Sequence, residues 1–597
     1  MKPRKTAVHI THEAANKIGG IGAVLEGFFT SSKYVEDVDR SILISALFTR
    51  EGNLFNRLGP GGEVLYSSLD GFVNTDRFNA FRRIEMAFGV DIVYGRKRFY
   101  DPKTGVESHP EIVLIDVSNM ALESVNEMKR QFFDEYGIES NRYEHIWDFE
   151  QWMRLGPVAV AVTKALGVCE NNDPTVMVSH EYMGLPTALA ARLDPAYDFK
   201  TVFYAHETAT MRLLVEKNLG HDTMFYNALK QAEKSGLYVD DIFGDQSEYY
   251  KHALVSAARH CDNILAVGDY VVDELRFMSE DFKDADIDLT YNGIPAYECD
   301  VTEKRKSRGK LQQYCENLLG YRPDYVFTHV TRLVTSKGLW RDFRVLEHME
   351  QEFEAEGKTG VLFLLSTEVA QRPSSDVYSM EAEYNWPVAH REGWPDLSEG
   401  EARFNTAVQE FNAKSKNIKA VFINQFGFTR ELCGHRMPFD MDFMDLRRGC
   451  DVEFGQSVYE PFGIAQLESL TFGAVCVVTN VCGCAGFVRD ITKGEPVKNL
   501  IVADYTSLED RGYYDLEDVK QIGKEERDEI EHKISKEVAT DLCARLWKTE
   551  DEMMEYVRSG YAIARNMNWD TVYCNYVSKS LHKAMSKTTT GQMPLEA

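Results

Sequence analysis

Positive charge is in short supply in this 597-residue chain: 67 Lys and Arg stand against 94 Asp and Glu, a formal net charge of −27. A field of that sign repels phosphate backbones and anionic headgroups, so nucleic acid and membrane surfaces are poor partners. An anionic ligand would need a local basic pocket. Long apolar runs are also missing. Nothing approaches the ~20 apolar residues of a membrane span, and the opening MKPRKTAVHI lacks a signal-peptide core, so a soluble cytoplasmic protein is expected. Cysteine is sparse. The eleven residues form no CxxC pair, and the closest two, Cys482 and Cys484, sit in a glycine-rich turn. That usage suits reduced, buried thiols better than a disulfide or zinc framework. The dinucleotide GxGxxG, the P-loop and the GxSxG elbow are absent too, which removes the usual marks of those nucleotide sites and of acyl transfer. With no third His or Cys at ligand spacing a bound metal is not expected, and nothing marks a Schiff-base lysine for a pyridoxal cofactor, so no cofactor is expected.

What is present is alternation. Short β-branched or aliphatic runs are separated by amphipathic stretches, the pattern of parallel sheets with helical crossovers. In the first half the strand candidates are TAVHI, SILISALF, EIVLIDV, TVMVSH, TVFYAH, NILAVG and LTYNG. In the second they are YVFTHVTRL, GVLFLLST, AVFINQF, VEFGQS, AVCVVTN and LIVADY. Two sheets follow, with domains over 1–300 and 301–560 and a hinge near residue 300, at the charged stretch VTEKRKSRGKLQQYCENLLG. The Pro-, Trp- and acid-rich stretch 371–416 reads as an edge insertion, 561–586 as a returning C-terminal helix, and 587–597 as a flexible tail. A ligand is expected in a cleft at the carboxyl ends of the strands.

Four constellations carry chemistry. After the first strand, Asn16 to Gly22 brings Gly19 and Gly20 to a helix start, where bare amides and the helix dipole favour a phosphate; Lys17 could add a full charge. After the first strand of the second half, TRLVTSKG places Arg332 and Lys337, a fork and a point charge suited to a diphosphate. In EPFGIAQLE, proline in a first helical turn would leave the Gly463 and Ile464 amides free and set Glu460 and Glu468 along one helix face. Finally His206, in YAHETATMR, and His180-Glu181, in VSHEYMG, end neighbouring strands. A binding role at the cleft edge is expected for both, with Asn292 in YNGIP completing a candidate pocket.

Together these strings resemble the retaining glycosyltransferases of GT-B architecture, and among them the glycogen and starch synthases. NKIGGIGAVL is similar to the N-terminal glycine loop of the eukaryotic-type enzymes, AHETATMR to their His-containing turn, TRLVTSKG to the Arg/Lys motif and YEPFGIAQLE to the paired-glutamate motif. NMNWDTVYCNY resembles the final helix that crosses back to the first domain. The resemblance implies an α/β fold of two Rossmann-like domains facing across a cleft. It also implies transfer of a sugar from a nucleotide diphosphate to a saccharide hydroxyl, with retention and without a metal. Matched by residue, Arg332 and Lys337 would hold the diphosphate, with Gly19, Gly20 and Lys17 adding to it. Glu460 would sit beside the donor sugar, Glu468 on the ribose, and His206 against the sugar. His180-Glu181-Tyr182 and Ala465 depart from the bacterial pattern, and no Arg-rich helix for a sugar-phosphate effector is present.

Glucose transfer from ADP- or UDP-glucose to an α-glucan is the leading expectation. Another donor or a non-glucan acceptor, an epimerase or hydrolase, and a nucleotide-sugar-binding protein with a decayed site are the alternatives. The base, the acceptor and the oligomeric state, a homo-oligomer included, are left open.

Overall fold

A computed structural model describes residues 4–168, 173–369, 371–508, 512 and 515–587. The expected tail from residue 588 onward lies outside the described residues. The chain divides into two compact units. The first holds the described residues of Met1–Met211, Ala232–Gly293 and Trp569–Ala597, and the second holds Arg212–Gln231 and Ile294–Asn568.

The strands of the first unit are β1 (Thr6–Ile10), β2 (Arg40–Ala46), β3 (Gly62–Ser67), β4 (Phe72–Val73), β5 (Asp91–Lys97), β6 (Phe99–Tyr100), β7 (Glu107–Ser108), β8 (Glu111–Asp116), β9 (Thr175–His180), β10 (Lys200–Ala205), β11 (Asn263–Ala266) and β12 (Ile287–Leu289). Ten of them make one sheet in the order β12-β11-β10-β9-β1-β2-β8-β5-β3-β4, while β6 and β7 pair separately. From β12 to β8 every pairing is parallel. Six of these seven strands match runs expected from sequence, and the seventh, β12, meets the expected LTYNG only at Leu289. The antiparallel extension β5-β3-β4 was not expected. β3 (GEVLYS) is only partly buried, and β5 (DIVYGRK), although mostly buried, is interrupted by Gly95 and the exposed Arg96, so neither shows the continuous apolar run of a strand covered on both faces. The order reverses between β1 and β9, and ligands of open α/β sheets bind at such switch points.

Close packing fixes where the chain returns to this unit. A Cβ on Gly27, inside helix Gly20–Phe29, would lie 2.0 Å from the Trp569 indole, and one on Gly293 would lie 2.5 Å from it. Only glycine admits that ring so near the backbone. Asp570 then accepts from the Ser31 and Ser32 hydroxyls, and Trp569 packs edge-on against Phe28.

The second unit contains β13 (Tyr325–Val330), β14 (Gly360–Leu365), β15 (Ile418–Ile423), β16 (Val452–Gly455), β17 (Val475–Thr479) and β18 (Leu500–Ala503). All pairings are parallel in the order β15-β14-β13-β16-β17-β18, so the switch point lies between β13 and β16. Alternate side chains feed two apolar layers: Phe327, Leu362 and Leu364 on one face, Val326, Val361 and Phe363 on the other. The charged stretch that follows the expected hinge near residue 300 folds as the 19-residue helix Val301–Leu319. Asp300 and Glu303 close a capping box at its start, and Leu311, Tyr314 and Cys315 are buried in the core. The expected edge insertion follows β14 and leads into edge strand β15. It folds as helices Ser374–Tyr384 and Glu399–Lys414, and Val377, Met380, Trp386, Val408 and Phe411 join the two apolar layers.

Among the described residues no helix is long and apolar enough to cross a membrane. The ten described cysteines are free thiols, nine of them buried.

Candidate active site

In the second unit two loops leave the carboxyl ends of β13 and β16, the strands that flank its switch point. They are stitched together by backbone: the Val458 and Tyr459 amides both donate to the Ser336 carbonyl, at 2.8 and 3.2 Å. This brings the Lys337 ammonium to 2.6 Å from Glu460 Oε2, with both side chains almost wholly buried. The same carboxylate oxygen accepts from Gln466 Nε2 at 2.7 Å and from Ser457 Oγ at 3.2 Å. Burial alone would raise the Glu460 pKa, but the Lys337 charge and the three hydrogen bonds outweigh it and hold the carboxyl below its ordinary value. Arg332, on the same loop as Lys337, is exposed and has no side-chain partner among the described residues. The pair of cations expected after β13 therefore divides into one neutralised and one available charge.

The paired-glutamate string departs from its expected geometry. Pro461 is not in a first helical turn, because the helix is Ile464–Glu468 and Gly463 caps it with φ +92°. A Cβ on Gly463 would also meet Gln466 Oε1 at 2.2 Å, so this turn requires glycine. Glu460 thus lies in the preceding loop while Glu468 ends the helix, and the two do not share a helix face. Glu468 ion-pairs at 2.9 Å with Arg447, which also holds the buried Glu453 at 2.8 Å, and about a quarter of its side chain remains exposed. The Gly463 and Ile464 amides donate to no described residue.

The glycine loop of the first unit follows β1, beside that unit's switch point. Gly19 caps helix Gly20–Phe29 as expected, but its amide already has an anion. Glu13 Oε2 accepts from the Ile18 amide at 2.6 Å and from the Gly19 amide at 2.7 Å, and the Glu13 side chain is buried. A carboxylate of the chain itself occupies the nest that the sequence suggested for a phosphate. Lys17 is likewise engaged, 2.6 Å from Glu26, with both side chains largely exposed. Around Gly20 a Cβ would meet nothing within 4 Å.

His180 and Glu181, at the carboxyl end of β9, are both buried. His180 is the middle of a line of three rings. Its Nε2 is 2.9 Å from His9 Nδ1 and its Nδ1 is 2.9 Å from His206 Nε2. Beyond His9, Nε2 meets the Tyr34 hydroxyl at 2.9 Å, and that hydroxyl meets Ser41 Oγ at 2.7 Å. Burial keeps all three imidazoles neutral, with His9 and His206 each lowered to about 3 and His180 also well below its ordinary value. Glu181, at φ +63°, turns back so that its Oε1 accepts from the His206 and Glu207 amides at 2.5 and 2.7 Å. Burial, aided by the Glu207 charge, raises the Glu181 pKa well above the ordinary glutamate value. Such a backbone outlier beside a polar cluster is a common mark of functional sites. Asn292 is also buried, accepting from the Tyr204 hydroxyl at 3.4 Å.

Sequence reasoning missed His9, Glu13, Tyr34, Arg447, Ser457 and Gln466. His9 and Tyr34 belong to no motif, and only the topology that sets β1 beside β9 brings them to His180. Glu13 could have been suspected as an acid directly preceding a glycine turn.

No family model matches the chain. It is 21% identical over 644 residues to glycogen [starch] synthase isoform 1 of Saccharomyces cerevisiae, an alignment covering 92% of this chain and 84% of the yeast protein. Among solved structures it is similar to one described as trehalose-6-phosphate from E. coli bound with UDP-2-fluoro glucose, with a TM-score of 0.50, 12% identity and coverage of 98% and 99% of the two chains. The catalytic domain of starch synthase IV from Arabidopsis thaliana bound to ADP and acarbose gives a TM-score of 0.50, 11% identity and coverage of 98% and 100%. The likeness is one of fold: the two Rossmann-like units are those of the GT-B glycosyltransferases.

Proposed function

We propose that the chain is a retaining hexosyltransferase that moves glucose from a nucleotide diphosphate sugar to the end of an α-glucan, in the manner of a glycogen or starch synthase. The observation that carries this reading is the buried Lys337–Glu460 pair at the switch point, beside the unpaired Arg332 and the unengaged Gly463 and Ile464 amides. Cation, amides and carboxylate are what a departing diphosphate and a sugar of cationic character require together. The match along 92% of the chain to a yeast glycogen [starch] synthase supports the same class.

In the proposed reaction the bond between the anomeric carbon and the β-phosphate oxygen breaks, its electron pair leaving with the phosphate. Arg332 and Lys337 stabilise that charge, and preorganised groups of this kind supply several kcal/mol each. Glu460 faces the sugar and stabilises positive charge near the anomeric carbon, with Lys337, Gln466 and Ser457 keeping it ionised. The acceptor oxygen attacks on the face from which the phosphate departs, and its proton passes to that phosphate oxygen, so configuration is retained. Glu468 receives the ribose, its position held by Arg447. His206 contacts the sugar. Gly19, Gly20 and Lys17 add to diphosphate binding only if Glu13 and Glu26 release the loop amides and the ammonium. The charge is assigned to side chains rather than to a metal, and no other cofactor is needed.

A second reading keeps the donor and changes the acceptor. It is favoured by the fold likeness to the E. coli trehalose-6-phosphate structure, which equals that to starch synthase IV at a TM-score of 0.50. Radiolabelled ADP-glucose and UDP-glucose, each with and without glycogen, separate the readings. Label in polymer is expected. Label in a small oligosaccharide selects the second reading, free glucose a hydrolase, and no turnover of any nucleotide sugar a binding protein. Glu460→Gln is expected to lower kcat by about 10²-fold or more while nucleotide affinity changes little; a wild-type rate would remove Glu460 from the mechanism.

A further inference from the structure

The three-histidine line in the first unit exceeds what positioning one ring by packing requires. A neutral imidazole carries one N–H and one lone pair, so each nitrogen–nitrogen contact holds a single proton and all the contacts must point the same way. If His206 Nε2 donates to His180, then His180 Nε2 donates to His9, His9 Nε2 donates to the Tyr34 hydroxyl, and His206 Nδ1 is left as an acceptor. In the opposite direction His206 Nδ1 is a donor. A mixed state would set two protons or two lone pairs against each other in a buried site, which is costly. The tautomer of His206 is therefore coupled to a hydroxyl three contacts away. His206 is the half-buried end of the line, and its Nδ1 has no partner among the described residues.

The surroundings reinforce the coupling. His12, on the loop after β1, disfavours charge on both His180 and His206. The Tyr204 ring from β10 lies 4.4 Å from that of His206 and 5.5 Å from that of His180. Glu181 holds the His206 and Glu207 amides, and Lys251 lies near Glu181. Backbone and ring of His206 are thus fixed by separate devices.

We propose that His9 and His180 are positioning residues for His206: the relay ending at Tyr34 sets its tautomer, so that Nδ1 meets the substrate in one constant hydrogen-bonding role. The importance of that role for sugar transfer rests on the function proposed above; the relay itself does not.

The test uses the full-length protein labelled with 15N-histidine. His206 resonances are assigned by their loss in His206→Gln, and the two ring nitrogens are read from about pH 7.5 to 5.5, across the ordinary histidine pKa of about 6.5. A neutral His206 ring with one fixed tautomer is expected throughout. In His180→Leu and in Tyr34→Phe the nitrogen shifts should redistribute between the two tautomers. An ordinary titration of His206 near 6.5, or an unchanged pattern in either folded variant, would overturn the proposal. Kinetics form the second arm. His180→Leu should lower kcat by roughly a hundred-fold with donor KM changed less than about three-fold. His180→Gln, whose amide can donate to one neighbour and accept from the other, should recover at least about ten-fold of that loss. Equal losses in the two variants would reduce His180 to packing. Because the spectra need no substrate, a failed relay and a failed glycosyltransferase assignment give different results.

Discussion

The two units place polar groups at their switch points in opposite electrical conditions. In the first, burial holds three imidazoles uncharged, and the anion of the glycine loop is the chain's own Glu13. In the second, a full ion pair is buried at Lys337 and Glu460, and a further cation, Arg332, stands free beside it. In the first the rings are uncharged and the loop amides are already taken by Glu13; the second is charged and keeps unspent capacity. A leaving diphosphate calls for the second kind of site, whereas a ring that must keep one hydrogen-bonding role calls for the first.

Breaking the charged site should have the largest effect. Lys337→Met leaves the Glu460 carboxylate buried without its counter-charge, and removal of one partner from such a pair costs about 3–5 kcal/mol. A clear fall in the melting temperature of the second unit is expected. Adding Glu460→Gln to that variant should restore much of the loss, because the uncompensated charge disappears with it. A double-mutant cycle read by calorimetry checks this; additive losses would mean that the pair is not coupled in the folded protein.

The contrast also explains how much could be read beforehand. Lys337 and Glu460 were visible because each sits in a compact string shortly after a strand, and β13 and β16 both read as strands. That the two loops meet follows from sheet order. The relay was only half visible: His180 and His206 end apolar strands, whereas His9 lies within TAVHI, where a buried histidine looks like any strand residue. The error at Pro461 has a local cause. Proline suits a first helical turn, but Gly463 in the left-handed region cannot lie within one, so the helix starts later. The missed strand β3 is only partly buried, and β5 is interrupted by Gly95 and the exposed Arg96; strands broken up in this way give little signal.

Acid should separate the units next. A folded-state histidine pKa below the unfolded value means that the unfolded chain binds more protons, so stability falls as pH drops below about 6.5 and continues to fall toward about 3. Each such ring contributes up to about 1.4 kcal/mol per pH unit within that window. Glu460 works in another range: its lowered pKa contributes stability above the ordinary 4.5 that is lost only as pH falls through the still lower folded value. Hydrogen exchange corrected for intrinsic rates should therefore show β1, β9 and β10 losing protection between about pH 6.5 and 5, while β13 and β16 keep theirs. Simultaneous loss in both sheets would remove the electrical distinction between the units.

The smallest stability effect, and the sharpest functional one relative to it, is expected at Arg332. An exposed side chain without a partner leaves folding within about 0.5 kcal/mol when truncated. A charge-assisted hydrogen bond to a phosphate, however, is worth about 1.5–3 kcal/mol, or roughly ten- to a hundred-fold in affinity. Arg332→Ala should thus keep the wild-type melting temperature and weaken nucleoside diphosphate binding by that factor in titration calorimetry. Lys17→Ala is the matched control, since Lys17 is already paired with Glu26 and should alter neither quantity much. If Lys17→Ala instead weakened binding as strongly as Arg332→Ala, the glycine loop would have to release its own carboxylates on binding, and the first unit's site would be satisfied only while empty.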